Sequence, residues 1–501
     1  MSDSFSDRAV EPSALLSGTA LDGLTRAKPS SMGVDADAIV AFLNDVEAAN
    51  LDMHALMIHR NGHVVTEAWR WPYRAERPRN LHSVAKSFTA CAIGLALEEG
   101  HFRLDDKVVS FFPEALPEVV DDRLAAMTIE DLLTMRVGHE TTTSGARWRG
   151  MGTSWTEAFF RIPLAGQPGG AFLYTSAASY MLSALLSRAT GETLHDYLKP
   201  RLLEPLGITG ETWDVGPDGI NPGGNGLWAK TADLLKLGIL HAQNGVWEGK
   251  RLLPAAWVAD ATRSHVESGR YGYHWWTHPD GAYSARGVFV QLAVVFPEHG
   301  ATLAITGAIK GSAKLLPLID RYFPAAFDAA SKDGADARLE AKIVEWQKED
   351  APVAWKEGYL RQPQPKGTID GSGVRRFAME PNAQGIEELQ FEFTDSECTF
   401  RLTDADGPHV IVAGLGRWIE TPNEMPGSDL HHNYHLRGSP VVARACWLDA
   451  SRLQMTWIFA ETAFRDTIVC EFSENKLVFK REVNINSGAL QHDDVTGTLR
   501  A

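Results

Sequence analysis

The strictest constraint on the fold is the alternation of apolar and polar residues from about residue 371 to the end of the chain. Segments with this pattern follow one another between short turns, for example "IEELQFEFTD", "CTFRLTDADG", "RLQMTWIFAE", "FRDTIVCEF" and "KLVFKREVN". Alternation places successive side chains on opposite faces of a strand, so each strand buries one face. Short strands at regular spacing predict an antiparallel β-barrel or sandwich over residues 371–501.

The part of the chain before residue 328 mixes helical and extended patterns. An Asn61-Gly62 hairpin signal lies in "HALMIHRNGHVVTEAWR", helical spacing dominates the middle, and strands return at "GVFVQLAVVFP" and "ATLAITGA". Strands at both ends predict an α/β (α+β) domain, with one antiparallel sheet flanked by helices and a helical subdomain. We therefore predict an N-terminal arm at 1–30, this mixed domain at 31–328, a linker with one helix at 329–370, and the β-domain at 371–501.

The charge and the cysteines limit the partners and the compartment. A formal net charge of -16 argues against nucleic acid or an anionic membrane as a partner. The N-terminal residues lack the basic start and apolar core of a secretory signal, and nothing approaches the length of a membrane span. The 4 cysteines have no metal-type spacing, so we expect reduced core residues in a cytoplasmic protein.

The segment "LHSVAKSFTA" carries the first candidate chemistry, a serine and a lysine three residues apart at Ser83 and Lys86. On a helix these positions share a face, and the N–H groups of a helix start lower the cost of a neutral lysine beside them. A serine needs such a proton acceptor to become a nucleophile. The alternative is that Ser83 is a cap and Lys86 a surface charge. Ser473 and Lys476 repeat the spacing in a predicted hairpin, so spacing alone is not evidence.

A second candidate lies in "AFLYTSAASYMLSALLSRATGETL", where Tyr174 precedes Ser176 at the start of a helix. A tyrosine close to a lysine can accept a proton or relay one to a leaving group. The alternative for Tyr174 is a core aromatic residue with a satisfied hydroxyl group.

Together these segments resemble the serine β-lactamase and penicillin-binding-protein superfamily, in its class C and esterase-like branch. "SVAKS" resembles the Ser-x-x-Lys motif, and "YTSAASYMLSALLSRATGETLHDYLKPRLLEPLGIT" resembles the Tyr-x-Asn region with its helix. The resemblance covers about residues 35 to 325. It implies that Ser83 is the acylated nucleophile and that Lys86 and Tyr174 share the proton transfers. It also implies an oxyanion hole formed by the backbone N–H groups of Ser83 and Val288.

Two departures from the family pattern concern substrate binding. Ser176 stands where the family usually has Asn, two residues after the tyrosine. The flanking strand reads "ARGVFVQ", so that Arg286 and Gly287 replace the family's Lys- or His-Thr-Gly. Arg286 lies one place from the expected cation, and strand alternation predicts that its side chain points to the other face. We therefore expect β-lactamase activity to be weak at most.

The remaining candidates concern the pocket wall and the β-domain. In "YGYHWWTHPDGAY" we expect half of the aromatic residues to be core and Trp275 and Trp276 to contact substrate. The β-domain resembles the lipocalin-like barrels that some members of the superfamily carry, and its loop "PGSDLHHNYHLRG" is a candidate for the active-site mouth. We interpret His431, His432 and His435 in this loop as solvated and expect no metal.

We therefore predict a serine hydrolase that cleaves a small ester, amide or peptide through an acyl-enzyme and needs no cofactor. A cytoplasmic acyltransferase would use the same residues, and a non-catalytic ligand-binding descendant of the fold would account for the two departures. The sequence contains no Gly-x-Ser-x-Gly elbow for an α/β-hydrolase nucleophile. The sequence is compatible with a homodimer but does not specify an oligomeric state.

Overall fold

A computed structural model describes residues 18–19, 22–267, 269–348 and 374–500. These residues form two compact units. The first holds the described residues up to Thr142 and Thr153–Lys348, and the second holds Thr143–Gly152 and the described residues after 373. The predicted linker after Lys348 lies outside the described residues.

The strands of the first unit are β1 Gly18–Thr19, β2 Thr25–Arg26, β3 Met53–Arg60, β4 His63–Trp69, β5 Arg79–Asn80, β6 Thr212–Trp213, β7 Leu227–Ala229, β8 Val246–Trp247, β9 Lys250–Arg251, β10 Trp276–Thr277, β11 Tyr283–Gly287, β12 Gln291–Phe296 and β13 Ala301–Gly307. The helices of the chain are α1 Ala36–Ala48, α2 Ala85–Glu98, α3 Asp122–Ala126, α4 Ile129–Leu133, α5 Gly145–Arg149, α6 Trp155–Phe160, α7 Ser176–Thr190, α8 Leu194–Leu198, α9 Thr231–Ala242, α10 Ala255–Thr262, α11 Leu316–Asp328 and α12 Ala335–Trp346. Among these helices, α5 belongs to the second unit.

The main sheet of the first unit joins strands from both ends of the domain, as the sequence predicts. Its order is β1-β2-β4-β3-β13-β12-β11-β10, and β3 pairs with β13 across more than 200 residues of chain. The predicted hairpin between β3 and β4 turns at Asn61 and Gly62, which both have positive φ. That geometry suits an Asn-Gly turn because glycine adopts positive φ without strain.

Helices cover both faces of this sheet, which is why nearly every residue of its central strands β3, β12 and β13 is buried. Side chains such as Leu292 and Val294 join α1, α11 and α12 in one apolar core. On the opposite face α9 approaches so closely that a Cβ atom on Gly238 would lie 2.6 Å from Thr302. Small residues at this crossing therefore set the distance between helix and sheet.

The helix that the sequence assigns to a linker, α12, packs on α1 in the first unit. Its apolar residues are buried in the core shared with α1. On its exposed side Arg338 and Lys342 form ion pairs with Asp37 and Glu47 of α1. The contacts of α12 are therefore those of a packed helix.

The second unit contains a closed nine-strand barrel, in agreement with the predicted fold. Its strands are β14 Val374–Met379, β15 Glu388–Phe393, β16 Glu397–Asp404, β17 Gly407–Leu415, β18 Ile419–Pro422, β19 Pro440–Trp447, β20 Arg452–Phe459, β21 Arg465–Phe472, β22 Lys476–Val483 and β23 Val495–Leu499. Neighbouring strands are antiparallel, a short parallel pairing of β17 with β19 closes the barrel, and β18 adds to the edge of β19. Ser473 and Lys476 lie in the predicted hairpin, where the Ser473 N–H donates to the Lys476 carbonyl.

The histidine-rich loop before β19 differs from the solvated loop that we predict. His431 is fully buried and pairs with Asp466 at 2.9 Å, and His432 is 5% exposed. Arg481 also pairs with Asp466, so the buried carboxylate has a cationic partner in addition to the histidine ring. Within the described ranges, no cluster of three or more His, Cys, Asp or Glu residues could hold a metal ion.

The four cysteines are free and buried, as expected for core residues. No helix in the described part of the chain has the length and the apolar composition needed to cross a membrane.

Candidate active site

Ser83 lies in a 3₁₀ turn, His82–Val84, that connects β5 to the first turn of α2. His82 has a φ of 49°, and its N–H donates to Asn80 Oδ1 at 2.9 Å, which fixes the bend. Ser83 is the one residue between positions 79 and 94 that is not buried. The bend therefore presents a single hydroxyl group to the outside of an otherwise buried segment.

Lys86 lies beneath Ser83 and is 1% exposed. Its Nζ lies 3.2 Å from Ser83 Oγ, 3.0 Å from Ser176 Oγ and 2.7 Å from the Gly224 carbonyl oxygen. The ring of Tyr174 lies 5.1 Å from the same nitrogen. The structure thus brings together four of the side chains that the sequence analysis selected, from two segments about 90 residues apart.

Gly224 is a site residue that the sequence analysis missed. A Cβ atom at this position would lie 3.1 Å from Lys86 Nζ and 3.1 Å from Ser176 Cβ, so only glycine leaves the lysine its present place. The preceding Gly223 has a φ of 63° and its carbonyl accepts from Thr89 of α2. The glycine-rich "NPGGNG" is the signal that could have identified this backbone contact.

His274 is a second missed residue, and it supports the helices behind Lys86. Its Nδ1 lies 3.0 Å from the Leu133 carbonyl and its Nε2 lies 3.0 Å from Ser179 Oγ, while its own carbonyl accepts from Ser87. Burial, with a smaller contribution from Lys86, lowers the pKa of His274 to about 3. The ring is therefore neutral and ties together α2, α4 and α7.

Tyr174 precedes α7 and faces Ser83. Burial raises the pKa of Tyr174 to about 12, although a hydrogen bond with Ser83 and the charge of Arg286 both lower it. At neutral pH the phenol is therefore protonated and can donate its proton. Its position depends on its own backbone, whose carbonyl accepts from Thr142 Oγ1 at 2.7 Å.

Arg286 forms the wall opposite the nucleophile, on β11. Its side chain lies on the same strand face as Ser284, as alternation predicts, and Nε donates to Ser284 Oγ at 2.7 Å. A second nitrogen lies 2.7 Å from His278 Nε2, and the guanidinium lies 5.3 Å from the ring centre of Trp276. The guanidinium nevertheless reaches the cavity beside Ser83, so the expected loss of this cation from the site does not occur.

The two tryptophans have different positions. Trp276 contacts the rings of Tyr174 and Tyr271, at centroid distances of 5.5 and 5.0 Å, and lines the cavity. Trp275 is fully buried against His241 and Tyr283 in the interior. Only Trp276 is therefore placed to contact a bound molecule.

Two backbone N–H groups at the cavity are available to form an oxyanion hole. Those of Ser83 and Val288 donate to no backbone or side-chain group in the described residues. Both residues line the same cavity. Gly287 allows the close approach, because a Cβ atom there would lie 2.4 Å from the Leu81 carbonyl oxygen.

The cavity has a volume of about 300 Å³ and is partly open to solvent. Its lining contains one charged side chain and is otherwise polar backbone, hydroxyl groups and apolar side chains: Ser83, Tyr174, Trp276, Arg286, Gly287, Val288, Phe289, Val290, Gln291, Leu292, Gly311 and Ser312. A larger cavity of about 360 Å³ around Asp218 contains no serine paired with a buried lysine. The candidate catalytic side chains therefore lie at the smaller cavity.

Comparisons with known proteins identify the family of the chain. A family model described as Beta-lactamase matches residues 46–327. The chain is 25% identical over 293 residues to a 6-aminohexanoate-dimer hydrolase of Paenarthrobacter ureafaciens, covering 52% of this chain and 74% of that one. It is 28% identical over 151 residues to a lovastatin esterase of Penicillium rubens, covering 26% and 38%.

One solved structure shows the same fold. It comes from Bacillus anthracis and carries a provisional assignment as a 6-aminohexanoate-dimer hydrolase. Its TM-score is 0.50 at 18% identity, over 56% of this chain and 81% of that one. The two sequence relatives named above are hydrolases, and the Bacillus anthracis structure shows the fold of the first unit.

Proposed function

As this chain belongs to the Beta-lactamase family, we propose that it is a serine hydrolase that cleaves a small ester or amide through an acyl-enzyme on Ser83. The observation that carries the proposal is the contact of 3.2 Å between Lys86 Nζ and the single solvent-facing hydroxyl of its segment. A serine and a lysine at this distance are a nucleophile and its proton acceptor when the lysine is neutral.

The three contacts of Lys86 are compatible with a neutral lysine as the base. A neutral amine has two N–H donors and one lone pair. The Gly224 carbonyl can only accept, so one N–H points there, at 2.7 Å. The second N–H serves Ser176 Oγ, at 3.0 Å, which leaves the lone pair for the hydroxyl proton of Ser83. Ser176 in place of the family's Asn is sufficient for this contact.

Tyr174 is assigned the role of general acid. With a pKa of about 12 it retains its proton at neutral pH, so it is a suitable donor to the leaving group. In the first step Ser83 Oγ bonds to the carbonyl carbon and its proton passes to Lys86. The bond to the leaving oxygen or nitrogen then breaks, and the leaving atom takes a proton from Tyr174. Lys86 then passes a proton to Tyr174, which restores both groups. In the second half Tyr174 passes a proton to Lys86 and takes one from the water that attacks the acyl carbon, and Ser83 Oγ takes its proton from Lys86 as the acyl–oxygen bond breaks.

The oxyanion that forms in each half of the reaction would accept from the Ser83 and Val288 N–H groups. Both are unengaged within the described residues, which means that they lose no protein hydrogen bond when the substrate binds. A donor that is free in advance stabilises the transition state without a reorganisation cost.

The substrate is proposed to be small and partly apolar. The cavity volume of about 300 Å³ suits a small molecule, and Trp276, Phe289 and Leu292 supply apolar contact. Arg286 adds a cation whose remaining N–H donors can bind a carbonyl or an anionic group. Because Ser284 and His278 already engage two of its nitrogens, we expect weaker binding of a β-lactam carboxylate than an unengaged cation would give.

Covalent labelling tests the proposal. We expect a fluorophosphonate to add one adduct to the wild-type protein in intact-mass measurements, and Ser83→Ala to abolish it. The matched control is Ser473→Ala, which removes the serine of the repeated spacing and should leave labelling unchanged. An unlabelled wild type would overturn the enzyme assignment in favour of a binding protein. An adduct that persists in Ser83→Ala would overturn the choice of nucleophile.

A further inference from the structure

The turn between β11 and β12 has an unusual backbone. Phe289 and Val290 have φ values of 62° and 68°, and both side chains are buried, at 2% and 3% exposure. Left-handed conformation is rare outside glycine and asparagine and is a true outlier for a β-branched residue such as valine. This turn connects Val288 to the sheet, so an unfavourable conformation lies next to the proposed oxyanion donor.

Such a conformation persists only if its surroundings enforce it. The Phe289 carbonyl oxygen accepts from the Ile309 N–H at 3.1 Å, and its ring lies edge-on to His82 at 5.6 Å. Gln291 supplies a third restraint from inside the sheet. Its Nε2 donates to the Gly307 carbonyl at 3.0 Å and lies 3.5 Å from the Phe289 carbonyl.

Gln291 is unusual because the oxygen of its buried side-chain amide accepts no hydrogen bond within the described residues. The residue is 0% exposed, and in the described chain its Oε1 has no hydrogen-bond partner. The orientation of the amide is settled, because the nitrogen faces two carbonyl oxygens and a reversed amide would face them with oxygen. A buried unpaired acceptor costs stability, so the stability of the fold alone does not account for a glutamine here.

We propose that Gln291 is a positioning residue that holds the Phe289–Val290 turn in its left-handed conformation and so presets the Val288 N–H for the oxyanion. Gln291 acts through the backbone and need not touch the substrate. The inference rests on the proposed function, because it assigns a purpose to the strained turn only if an oxyanion forms in this cavity.

The proposal predicts that a substitution of Gln291 lowers kcat without a matching loss of thermal stability. Gln291→Met keeps the volume of the side chain, removes the N–H restraint and also removes the unpaired oxygen. We expect a melting temperature close to that of the wild type, because removing the unpaired oxygen offsets the loss of the hydrogen bond to the Gly307 carbonyl. We also expect a fall in kcat of about 10- to 100-fold, part of the about 10²- to 10³-fold typical for loss of an oxyanion donor. KM should change less than about threefold. Thr302→Val is the matched control, since it removes another buried, unpaired polar atom of the same sheet, and its kcat should equal wild type.

A rescue experiment identifies the backbone as the link. Glycine adopts positive φ without the steric cost of valine, so the turn needs less restraint after the substitution Val290→Gly. We expect the double variant Gln291→Met/Val290→Gly to recover about tenfold of the lost kcat. The double variant Gln291→Met/Val290→Ala, which also removes the isopropyl group but keeps Cβ, should recover none.

The assay is the hydrolysis of an activated ester, together with the rate of fluorophosphonate labelling for each variant. An unlabelled wild type overturns the proposed function and this inference with it. A labelled wild type with Gln291→Met at the wild-type kcat, or equal recovery by Val290→Gly and Val290→Ala, overturns this inference alone. If Gln291→Met shows no cooperative thermal transition, Gln291→Asn tests the same restraint, because its shorter side chain withdraws the amide N–H from the Phe289 and Gly307 carbonyls. An unchanged kcat in that variant overturns the inference.

Discussion

Replacing Gly224 with alanine tests the central contact of the site with one methyl group. The new Cβ would lie 3.1 Å from Lys86 Nζ and 3.1 Å from Ser176 Cβ, whereas ordinary contacts at this atom begin at 3.4 Å. The lysine and the serine must therefore move by about 0.3 Å or more. Hydrogen bonds at nitrogen have donor–acceptor distances of about 2.7 to 3.2 Å. The contacts of Nζ with Ser83 and Ser176, at 3.2 and 3.0 Å, are near the upper limit, so a shift of this size that lengthens either of them weakens it.

The expected loss of activity follows from that displacement. A misplacement of about 1 Å near a reacting group costs about 100-fold, so we expect Gly224→Ala to lower the acylation rate by about 10- to 100-fold. This corresponds to about 1.4 to 2.7 kcal/mol in the activation free energy. The protein should remain folded, because overpacking by one methyl group costs about 1–3 kcal/mol and the restricted unfolded chain returns up to about 1 kcal/mol.

The assay is pseudo-first-order labelling by a fluorophosphonate, with ester hydrolysis as a second readout. Gly166→Ala is the matched control, because its Cβ would meet nothing within 4 Å and its φ is not positive. We expect the control to keep the wild-type rate. A folded Gly224→Ala protein that reacts at the wild-type rate would refute the argument that the Gly224 backbone sets the position of Lys86.

Three further outcomes are expected. Tyr174→Phe should lower kcat by about 10²-fold or more. Because the pKa of Tyr174 is about 12, the pH profiles of kcat for the variant and the wild type should stay parallel from pH 6 to about 9.5. An inflection in the wild-type profile that the variant lacks would contradict the assigned acid. Burial lowers the pKa of His241 to about 4 and of His274 to about 3, from 6.5. The stability that the two neutral rings confer is therefore complete above pH 6.5 and is lost as the pH falls towards 4 and 3. The loss is up to about 1.4 kcal/mol per pH unit for each histidine. Urea unfolding at pH 7.5 and 5.0 measures this loss, His241→Leu should reduce the difference, and equal midpoints for the wild type would disprove it. Gly238→Ala should destabilise the first unit by about 1–3 kcal/mol, since its Cβ would lie 2.6 Å from Thr302 Cγ2, and a melting temperature equal to wild type would show that α9 can shift at no cost.

The sequence predicts those parts of the site whose residues lie within a few positions of one another along the chain. Ser83 and Lys86 share the start of α2, and their context distinguishes them from Ser473 and Lys476, which lie in a hairpin. Strand alternation likewise predicts the shared face of Ser284 and Arg286. Local rules suffice here because the neighbours that matter are only a few residues away.

The parts that the sequence does not predict depend on distant backbone. The Gly224 carbonyl reaches Lys86 across 138 residues, and backbone atoms carry no sequence signal beyond the glycine that allows the approach. Alternation predicts neither that Trp275 is buried against His241 nor that the Arg286 guanidinium reaches the cavity. His431 looks like a solvated loop residue until Asp466, 35 residues away, is known to be its partner.

The boundary of the second unit has a consequence for how the protein could be divided or could have arisen. Residues 143–152 lie in the first half of the chain, yet they belong to the unit that contains the barrel. Within that unit Arg149 donates to the His432 carbonyl at 2.7 Å and stacks on the ring of Tyr434 at 3.8 Å. A gene truncated after Lys348 would therefore encode one unit plus an orphaned fragment of the other, and a gene starting near residue 374 would lack a piece of its own fold. End-to-end fusion of two complete domains does not by itself produce this arrangement, because the second unit contains a segment from within the first half of the chain.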